Sequence, residues 1–488
     1  MSRRGSTVPQ GPSVGTSAGG GSSTAAPRRD RHQGPMGRGL ALILVAVLLA
    51  GATYVVRAVS GSDARPRPTT RAGGLEAPGG PAGLSQAPGR PQIQEIERLI
   101  RAFSERVGEQ PNALDYTFLG RLQLLRGRLT GDVAAYARAQ RDLTRALEIY
   151  PDDPEAAALL AVVRYTTHDF PGALDLATGV YERDPSQYGA LAVIGDAQME
   201  LGRYDEAEAT YARLARDVSE SGPVQARRSR MALLRGDDER AMRLAAIAER
   251  QARDAGAFGA ELSFYSVLQG QVAFDAGNYD EAAAHSEDAL RVAPDYHVAR
   301  AMLAKARAAQ GRTDDAIRLY LRAIAAVPQP EFLAALGDLY SIRGERRSAE
   351  EQYATVEAIA TLAKVNQRVY DRQLALFYAD HDLNVDRAVE LTESELRVRK
   401  DVYGYDAYAW ALYKAGRLEE ARAASEQALR LGTPDPKLWY HAGMISAALG
   451  EDDLAREQLG RALSLGPAFD PLQAPIARRT LQDLGSAR

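Results

Sequence analysis

The chain has no cysteine among its 488 residues. Without thiols it forms no disulfide, no cysteine zinc site and no iron–sulfur centre, and the absence is compatible with oxidising and reducing compartments alike. Its six histidines form no HExxH motif or other pair at metal-ligand spacing, and the sequence contains no phosphate-binding glycine loop. We therefore expect a protein that is not an enzyme and that uses no metal or cofactor.

What the chain does contain is alanine at a regular interval. Ten alanines follow one another mostly 33 or 34 residues apart, with wider intervals of 41 residues between Ala241 and Ala282 and 39 residues between Ala349 and Ala388. Unrelated helices have no reason to keep one period over such a length, so the sequence predicts an array of repeats. The ten positions are Ala139, Ala173, Ala207, Ala241, Ala282, Ala316, Ala349, Ala388, Ala421 and Ala455.

Glycine and proline keep the same period. Glycine stands five residues before the alanine in seven units, where a helix must end in a residue that tolerates positive φ, and proline follows the alanine near the end of a second helix. Apolar residues at i, i+3, i+4 and i+7 lie between these marks. Each unit is therefore predicted to be two short antiparallel helices. The glycines are Gly202, Gly236, Gly277, Gly311, Gly344, Gly416 and Gly450, and the prolines are Pro151, Pro185, Pro294, Pro328, Pro434 and Pro467.

These positions resemble the tetratricopeptide repeat family. In one unit the family's large and small positions are occupied by Leu336, Gly337, Tyr340, Ala349 and Tyr353, and the resemblance covers roughly residues 111 to 470. It implies an all-α fold, a right-handed α-solenoid of about ten helix-turn-helix units in which small residues let neighbouring helices approach. Extra residues in the wide intervals and in the first unit predict longer helices or distorted turns there.

The first 91 residues are of a different kind. Residues 1–38 are rich in Gly, Ser, Pro and Arg and are predicted to be a disordered basic tail. Residues 39–56 carry no charge, and as a helix they span about 27 Å, close to the thickness of a bilayer core, which predicts a transmembrane signal anchor. Cleavage as a signal peptide after Ala52, followed by secretion, is the alternative. The remaining divisions are a Pro/Gly/Arg linker at 57–91, the array at 92–470 and a capping helix at 471–488.

Net charge also differs between residues 1–91 and the rest of the chain. Eleven arginines against three carboxylates give residues 1–91 a charge of +8, which leaves −12 for the rest of a chain whose total is −4. An acidic array repels phosphate backbones, so nucleic-acid binding is not expected. Basic residues flank both ends of the predicted anchor. Because a single N-terminal span with a basic arm usually behaves as a signal anchor, we expect the N-terminus in the cytoplasm and the array outside it.

The resemblance also implies a binding groove. In the family, inward-facing positions on the first helix of each unit line a concave surface that receives a peptide or helix of a partner protein. Aromatic side chains suit such a surface because they offer a large contact area at low entropy cost, but they can equally pack between adjacent helices. At these positions the C-terminal units hold Tyr370, Phe377, Tyr403, Trp410, Tyr413, Tyr440 and Met444.

Two functions fit these features. The first is a non-catalytic, membrane-tethered scaffold that binds other proteins in its groove. The second is envelope glycan binding or an accessory role in cell-wall assembly, which the aromatic positions favour in a secreted setting. Residues 380–386 alternate oxygen-bearing side chains as calcium loops do, but they lack the loop's glycine and glutamate, so we interpret them as a capped turn. The partner and the oligomeric state stay open.

Overall fold

A computed structural model describes residues 90–130, 132–218, 221–365 and 371–486. These residues form 22 α-helices joined by short turns. The helices are α1 (Arg90–Glu109), α2 (Ala113–Thr130), α3 (Val133–Ile149), α4 (Pro154–Thr166), α5 (Phe170–Arg183), α6 (Tyr188–Glu200), α7 (Tyr204–Asp217), α8 (Gly222–Leu234), α9 (Asp238–Asp254), α10 (Gly259–Asp275), α11 (Tyr279–Val292), α12 (His297–Ala309), α13 (Thr313–Ala326), α14 (Pro330–Ile342), α15 (Arg346–Val365), α16 (Asp371–Asp380), α17 (Val385–Leu396), α18 (Val402–Lys414), α19 (Leu418–Ala428), α20 (Pro436–Ala448), α21 (Asp452–Leu465) and α22 (Gln473–Ser486).

Consecutive helices pair into ten units, from α2 with α3 to α20 with α21. Each unit packs chiefly against the units before and after it, as expected for an array in which every repeat buries its faces on its neighbours. Helix α1 packs on α2 at one end, and α22 covers α20 and α21 at the other. The prediction of an all-α solenoid built from two-helix units is confirmed.

The ten periodic alanines lie where helices approach most closely. None of them is more than 4% exposed. Small residues are needed on the facing helix as well, since a Cβ atom added to Gly195 would lie 2.5 Å from the ring of Tyr211, and one added to Gly443 would lie 2.7 Å from the side chain of Leu459. The alternation of small and large residues therefore sets the spacing between the two helices of a unit.

Glycine ends the first helix in seven units, as predicted. All seven glycines have φ between 72° and 79°, the left-handed region that residues with a Cβ adopt only at a cost. In two units without this glycine, His168 (φ 65°), Asp382 (φ 53°) and Asn384 (φ 41°) take left-handed conformations in the turn. Asp and Asn are among the side chains that tolerate this region best.

The wide intervals lengthen helices. Helices α9 and α10, which lie within the 41-residue interval, have 17 residues each, whereas a typical unit such as α4 and α5 has 13 and 14. In the first unit α2 has 18 residues and α3 has 17. Helix α15, in the 39-residue interval, has 20 residues and precedes residues 366–370, which lie outside the described residues. Of the two predicted alternatives, longer helices or distorted turns, longer helices are found at all three places.

The array curves until its C-terminal units contact units about six repeats earlier. Four hydrogen bonds join residues that are about 190 to 200 positions apart in the chain, and we call this contact the inter-turn seam. In them Lys400 N donates to Glu200 O (3.0 Å), Val402 N to the Tyr204 hydroxyl (2.7 Å), the Thr433 hydroxyl to Leu234 O (2.9 Å) and Ala468 N to the Tyr279 hydroxyl (3.1 Å). The solenoid is therefore a superhelix whose successive turns touch.

Glycine turns make the seam possible. A Cβ atom on Gly277 would lie 2.6 Å from the carbonyl oxygen of Leu465, and one on Gly202 would clash with the carbonyl oxygen of Lys400. The turns that end first helices thus have a second role. Because their glycines carry no side chain, the backbone of these turns can contact the backbone at the joints between later units.

Within the described residues, no helix is long and apolar enough to cross a membrane. The predicted anchor at 39–56, the predicted tail at 1–38 and residues 57–89 of the predicted linker lie outside that part of the chain. Helix α1 begins at Arg90, two residues before the predicted start of the array, and α22 ends at Ser486, inside the predicted cap at 471–488.

Candidate functional site

The first helices of successive units place polar side chains beside one another. We call the surface that these helices form the inner face. Because the repeat period brings equivalent positions of adjacent first helices together, side chains pair from one unit to the next. The pairs are Arg227 with Asp196 (2.8 Å), His381 with Asp338 (2.8 Å), Trp410 with Asp380 (2.8 Å) and His441 with Asp406 (2.9 Å).

The residues proposed for the groove fall into three groups in the structure. Buried side chains are those of Phe377, Trp410 and Tyr440, and half-buried side chains are those of Tyr403, Tyr413 and Met444. Tyr370 lies outside the described residues. The three half-buried residues are the ones with surface left to meet a partner.

Trp410 lies at the centre of an aromatic stack. Its ring is nearly parallel to that of Tyr413, with centroids 4.9 Å apart, and to that of His441, with centroids 4.2 Å apart. Its indole N–H donates to Asp380 at 2.8 Å. Because the ring is 2% exposed and its donor is satisfied, Trp410 fixes the relative position of α16, α18 and α20.

Five carboxylates gather at the C-terminal part of the inner face, and we call this group the acidic recess. Two lysines face it: Lys437 contacts Asp470 at 3.2 Å and Asp380 at 3.9 Å, while Lys305 interacts electrostatically with Asp275 and Asp435. The five residues are Asp275, Asp380, Asp406, Asp435 and Asp470, contributed by α10, α16, α18 and the joints before α20 and α22.

Burial and mutual repulsion disfavour ionisation in the recess. Burial raises the pKa of Asp275 to about 7, with Asp435 adding to the shift and Lys305 opposing it. Burial also raises the pKa of Asp380 and of Asp435. Asp275 and Asp380 are the last residues of α10 and α16, so their carboxylates lie at the negative ends of helix dipoles.

Asp470 differs from its neighbours in the recess. Burial acts to raise the pKa of Asp470, but Lys437 and the backbone amides of Gln473 and Leu472 outweigh it and lower the pKa. Its carboxylate accepts hydrogen bonds from both amides at 2.9 Å, because it caps the start of α22. The surroundings of Asp470 therefore favour its ionised form.

A second charged cluster lies across the inter-turn seam. It combines arginines and carboxylates from units on both sides of the seam, and the carboxylate of Glu200 is 2% exposed. Removing one charge from such a buried network leaves its partners uncompensated, at a cost of about 3–5 kcal/mol. The pairs are Glu200 with Arg399 (2.8 Å) and Arg230 (3.4 Å), and Arg372 with Asp401 (2.7 Å) and Glu395 (2.8 Å).

The oxygen side chains of residues 380–386 point to different partners. Asp380 accepts from Trp410, Asp382 pairs with Lys414 at 2.8 Å, and Asn384 donates to a carboxylate of α15. Across the ranges that the structure describes, no group of three histidine or carboxylate side chains is placed to hold a metal ion.

The sequence predicted the aromatic residues of the inner face as contact residues, whereas the charged residues of that face were not predicted. A signal was available for some of them, because Asp406 and Lys437 occupy the same inward positions as Tyr403 and Tyr440 in an array of net charge −12. No signal was available for the proximity of Asp275 to the later units, because the inter-turn seam brings it there.

Comparison with known proteins agrees on the repeats. Two family models, both described as tetratricopeptide repeat, match the chain, one at residues 165–230 and 273–339 and the other at 124–188 and 407–468. A search of curated proteins finds no match.

Solved structures with similar helical repeats include three of varied origin. Human IFIT1, as a dimer with PPP-AAAA, is 15% identical (77% of this chain, 87% of that chain, TM-score 0.41). Yeast Tom70 is 12% identical (80% and 93%, TM-score 0.34). A tetratricopeptide repeat protein from Parabacteroides merdae is 18% identical (54% and 97%, TM-score 0.32). At these identities the likeness concerns the fold alone.

Proposed function

We propose that this chain, which contains tetratricopeptide repeats, is a non-catalytic scaffold that binds protein or peptide partners along the inner face of its superhelix. The observation that carries the proposal is the continuity of that face. Side chains of adjacent first helices, most of them buried, pair directly from one unit to the next, so these helices are held side by side and a partner that lies across several units meets consecutive helices.

The contact residues that we propose are those predicted for the groove. Tyr403, Tyr413 and Met444 offer half-buried surface for direct contact. The buried residues Phe377, Trp410 and Tyr440 would support that surface by holding the first helices in place, and Tyr370 stays a predicted contact.

The proposal includes a membrane tether at residues 39–56, with the array outside the cytoplasm. It is supported by an uncharged run of 18 residues between basic flanks, and secretion after cleavage at Ala52 is the alternative. Protease treatment of intact cells that carry a C-terminally tagged chain tests the placement. We expect the array to be digested in unlysed cells, whereas protection of the array until the cells are lysed would overturn the proposed placement.

The glycan alternative loses one of its supports at Trp410. A sugar-binding platform needs an open aromatic face, and Trp410 is 2% exposed with its ring stacked on those of Tyr413 and His441. We therefore retain protein binding as the function that the geometry supports best.

Site-specific photo-crosslinking tests the scaffold proposal within a single unit. A photoreactive residue at Met444, on the first helix α20, is expected to crosslink a partner in cells, because Met444 lies on the inner face. The same residue at Leu454, which is 42% exposed on the second helix α21, is the matched control. Equal crosslinking from both positions, or none from Met444, would contradict binding along the inner face.

A further inference from the structure

The acidic recess is short of positive charge. Within the part of the chain that the structure describes, Lys305 and Lys437 are the lysines that act on the five carboxylates of the recess, and Lys305 also lies over the ring of Phe274 at 4.0 Å. Asp275 and Asp435 are near enough to disfavour each other's ionisation. Two of the five carboxylates end helices, where the helix dipole adds further negative potential. The electrostatic potential of the recess therefore favours a cation.

Two buried polar atoms at the recess have no hydrogen-bond partner. The Nδ1–H of His441 donates to the carboxylate of Asp406, at 2.9 and 3.0 Å from its two oxygens, and Nε2 is left without a partner. The Nε2 atom of Gln473 donates to Asp380 at 2.7 Å, which leaves its Oε1 as an acceptor.

No protein group of the described chain forms a hydrogen bond with His441 Nε2 or Gln473 Oε1. His441 is 1% exposed and Gln473 is 5% exposed, so bulk water does not compensate them as it would at the surface. Gln473 Oε1 is an acceptor, and the other end of the same side chain donates to Asp380. The recess thus combines excess negative charge with an unmet demand for an N–H donor.

A guanidinium or ammonium group meets both demands. Guanidinium presents five N–H donors and ammonium three, each with a positive charge and no acceptor. An anionic ligand would meet repulsion from every carboxylate of the group.

We propose that the acidic recess receives an arginine- or lysine-bearing extended segment of a partner protein. The inference rests on the proposed function and names the chemistry of the partner. A peptide suits the place because the recess is close to Tyr403, a half-buried residue of the proposed groove that interacts electrostatically with both Asp435 and Asp275. The raised pKa of Asp275 supports the same view, since a bound cation would stabilise the ionised carboxylate.

Titration of the full-length chain with a fluorescent arginine-rich peptide tests the proposal. Peptides of equal length with glutamate or glutamine in place of arginine are the controls. We expect binding of the arginine peptide alone, with an affinity that falls as salt rises, because exposed parts of the interaction are screened. Since the chain has two tryptophans, a Trp439→Phe variant leaves Trp410 as its single tryptophan, whose emission should change on binding.

Asp275→Asn is the decisive variant. At pH 8, above the pKa of about 7 of Asp275, it removes one charge from the recess without changing the shape of the side chain, and we expect about tenfold weaker binding of the arginine peptide. Asp295→Asn makes the same change at an exposed joint and should bind as the unmodified chain does. Unfolding curves of both variants report whether the fold is intact, and Asp275→Asn is expected to be at least as stable as the parent.

The outcomes separate this inference from the proposed function. Equal affinity of Asp275→Asn and the parent, or failure of the arginine peptide to bind, would overturn the basic-segment inference. If the glutamate or glutamine peptide binds instead, or if Met444 crosslinks a partner without a basic segment, the inference fails while the scaffold proposal stands. Absence of any inner-face crosslink is the result that removes the scaffold proposal itself.

Discussion

Asp275 is a side chain of the inner face whose ionised form is strongly disfavoured. It ends α10, lies close to Asp435 and Asp238, and is opposed by Lys305 alone among nearby cations of the described chain. A carboxylate in this setting gains from protonation, because burial and like charge both disfavour the ionised form. Its neighbours are brought together by the fold and are absent in the unfolded chain.

The pH dependence of stability follows from this residue. Between the ordinary pKa of aspartate, 3.8, and about 7, folded Asp275 keeps a proton that the unfolded chain has released. The free energy of unfolding therefore falls as pH rises through this window. Asp275→Asn cannot ionise, so its melting temperature relative to the parent should increase between pH 5 and pH 8, by an amount equivalent to roughly 1–2 kcal/mol. A melting-temperature difference that is the same at both pH values would contradict this account, and Asp295→Asn is the control.

At the scale of elements, several aspartates that start helices also act between units. Asp401 caps α18 by accepting from the Gly404 amide at 2.6 Å, and the same carboxylate pairs with Arg372 of α16. Asp435 caps α20 by accepting from the Lys437 amide at 2.9 Å and is also a member of the acidic recess. A cap contributes about 1 kcal/mol to a helix wherever it occurs. In this array the cap residues also face the adjacent units, because helix starts lie at the joints.

In the irregular units, the longer helices could be predicted from the sequence. Insertions of about one or two helical turns between periodic alanines kept the helical pattern, so longer helices were the simplest expectation. The turn at 380–386 was harder to interpret, because the sequence pattern of alternating Asp and Asn is compatible with both a calcium loop and a capped turn. Neighbouring side chains such as Lys414 and Trp410 decide where those oxygens go.

At the scale of the whole molecule, the inter-turn seam distinguishes this array from an open solenoid. An open solenoid holds its shape by nearest-neighbour contacts only, so its curvature is free to vary. Here backbone groups and buried charges of residues 200–280 contact those of residues 399–468. The seam should fix the curvature and thereby the width of the inner face.

Two glycine substitutions test this role of the seam. Gly277 and Gly344 have the same φ of 76°, so alanine at either position carries the same left-handed strain, about 1 kcal/mol. Only at Gly277 does the added Cβ also meet the Leu465 carbonyl oxygen, since nothing lies within 4 Å of one at Gly344. We expect Gly277→Ala to increase the radius of gyration in small-angle scattering and Gly344→Ala to leave it unchanged. Equal scattering from both variants would mean that the seam does not set the curvature.

The sequence by itself determined the repeat, its two helices and the places where they touch. These features depend on neighbours within one or two units, and local spacing records them: Ala139 and its equivalents had to be small, and Gly277 and its equivalents had to permit positive φ. The same reasoning located the inward positions but not their exposure, because whether a ring such as Trp410 is covered depends on the partners that surround it.

The tertiary structure alone decided which distant units meet. Contacts between Glu200 and Arg399, or between the surroundings of Asp275 and Asp435, join residues well over a hundred positions apart. Their proximity follows from the small rotation between neighbouring units, added over about six repeats, and a change of a few degrees per unit would separate them. No local pattern specifies such an accumulated angle. The repeat period in the sequence therefore determined the fold. The accumulated rotation between units decided which charged side chains of the inner face lie close together.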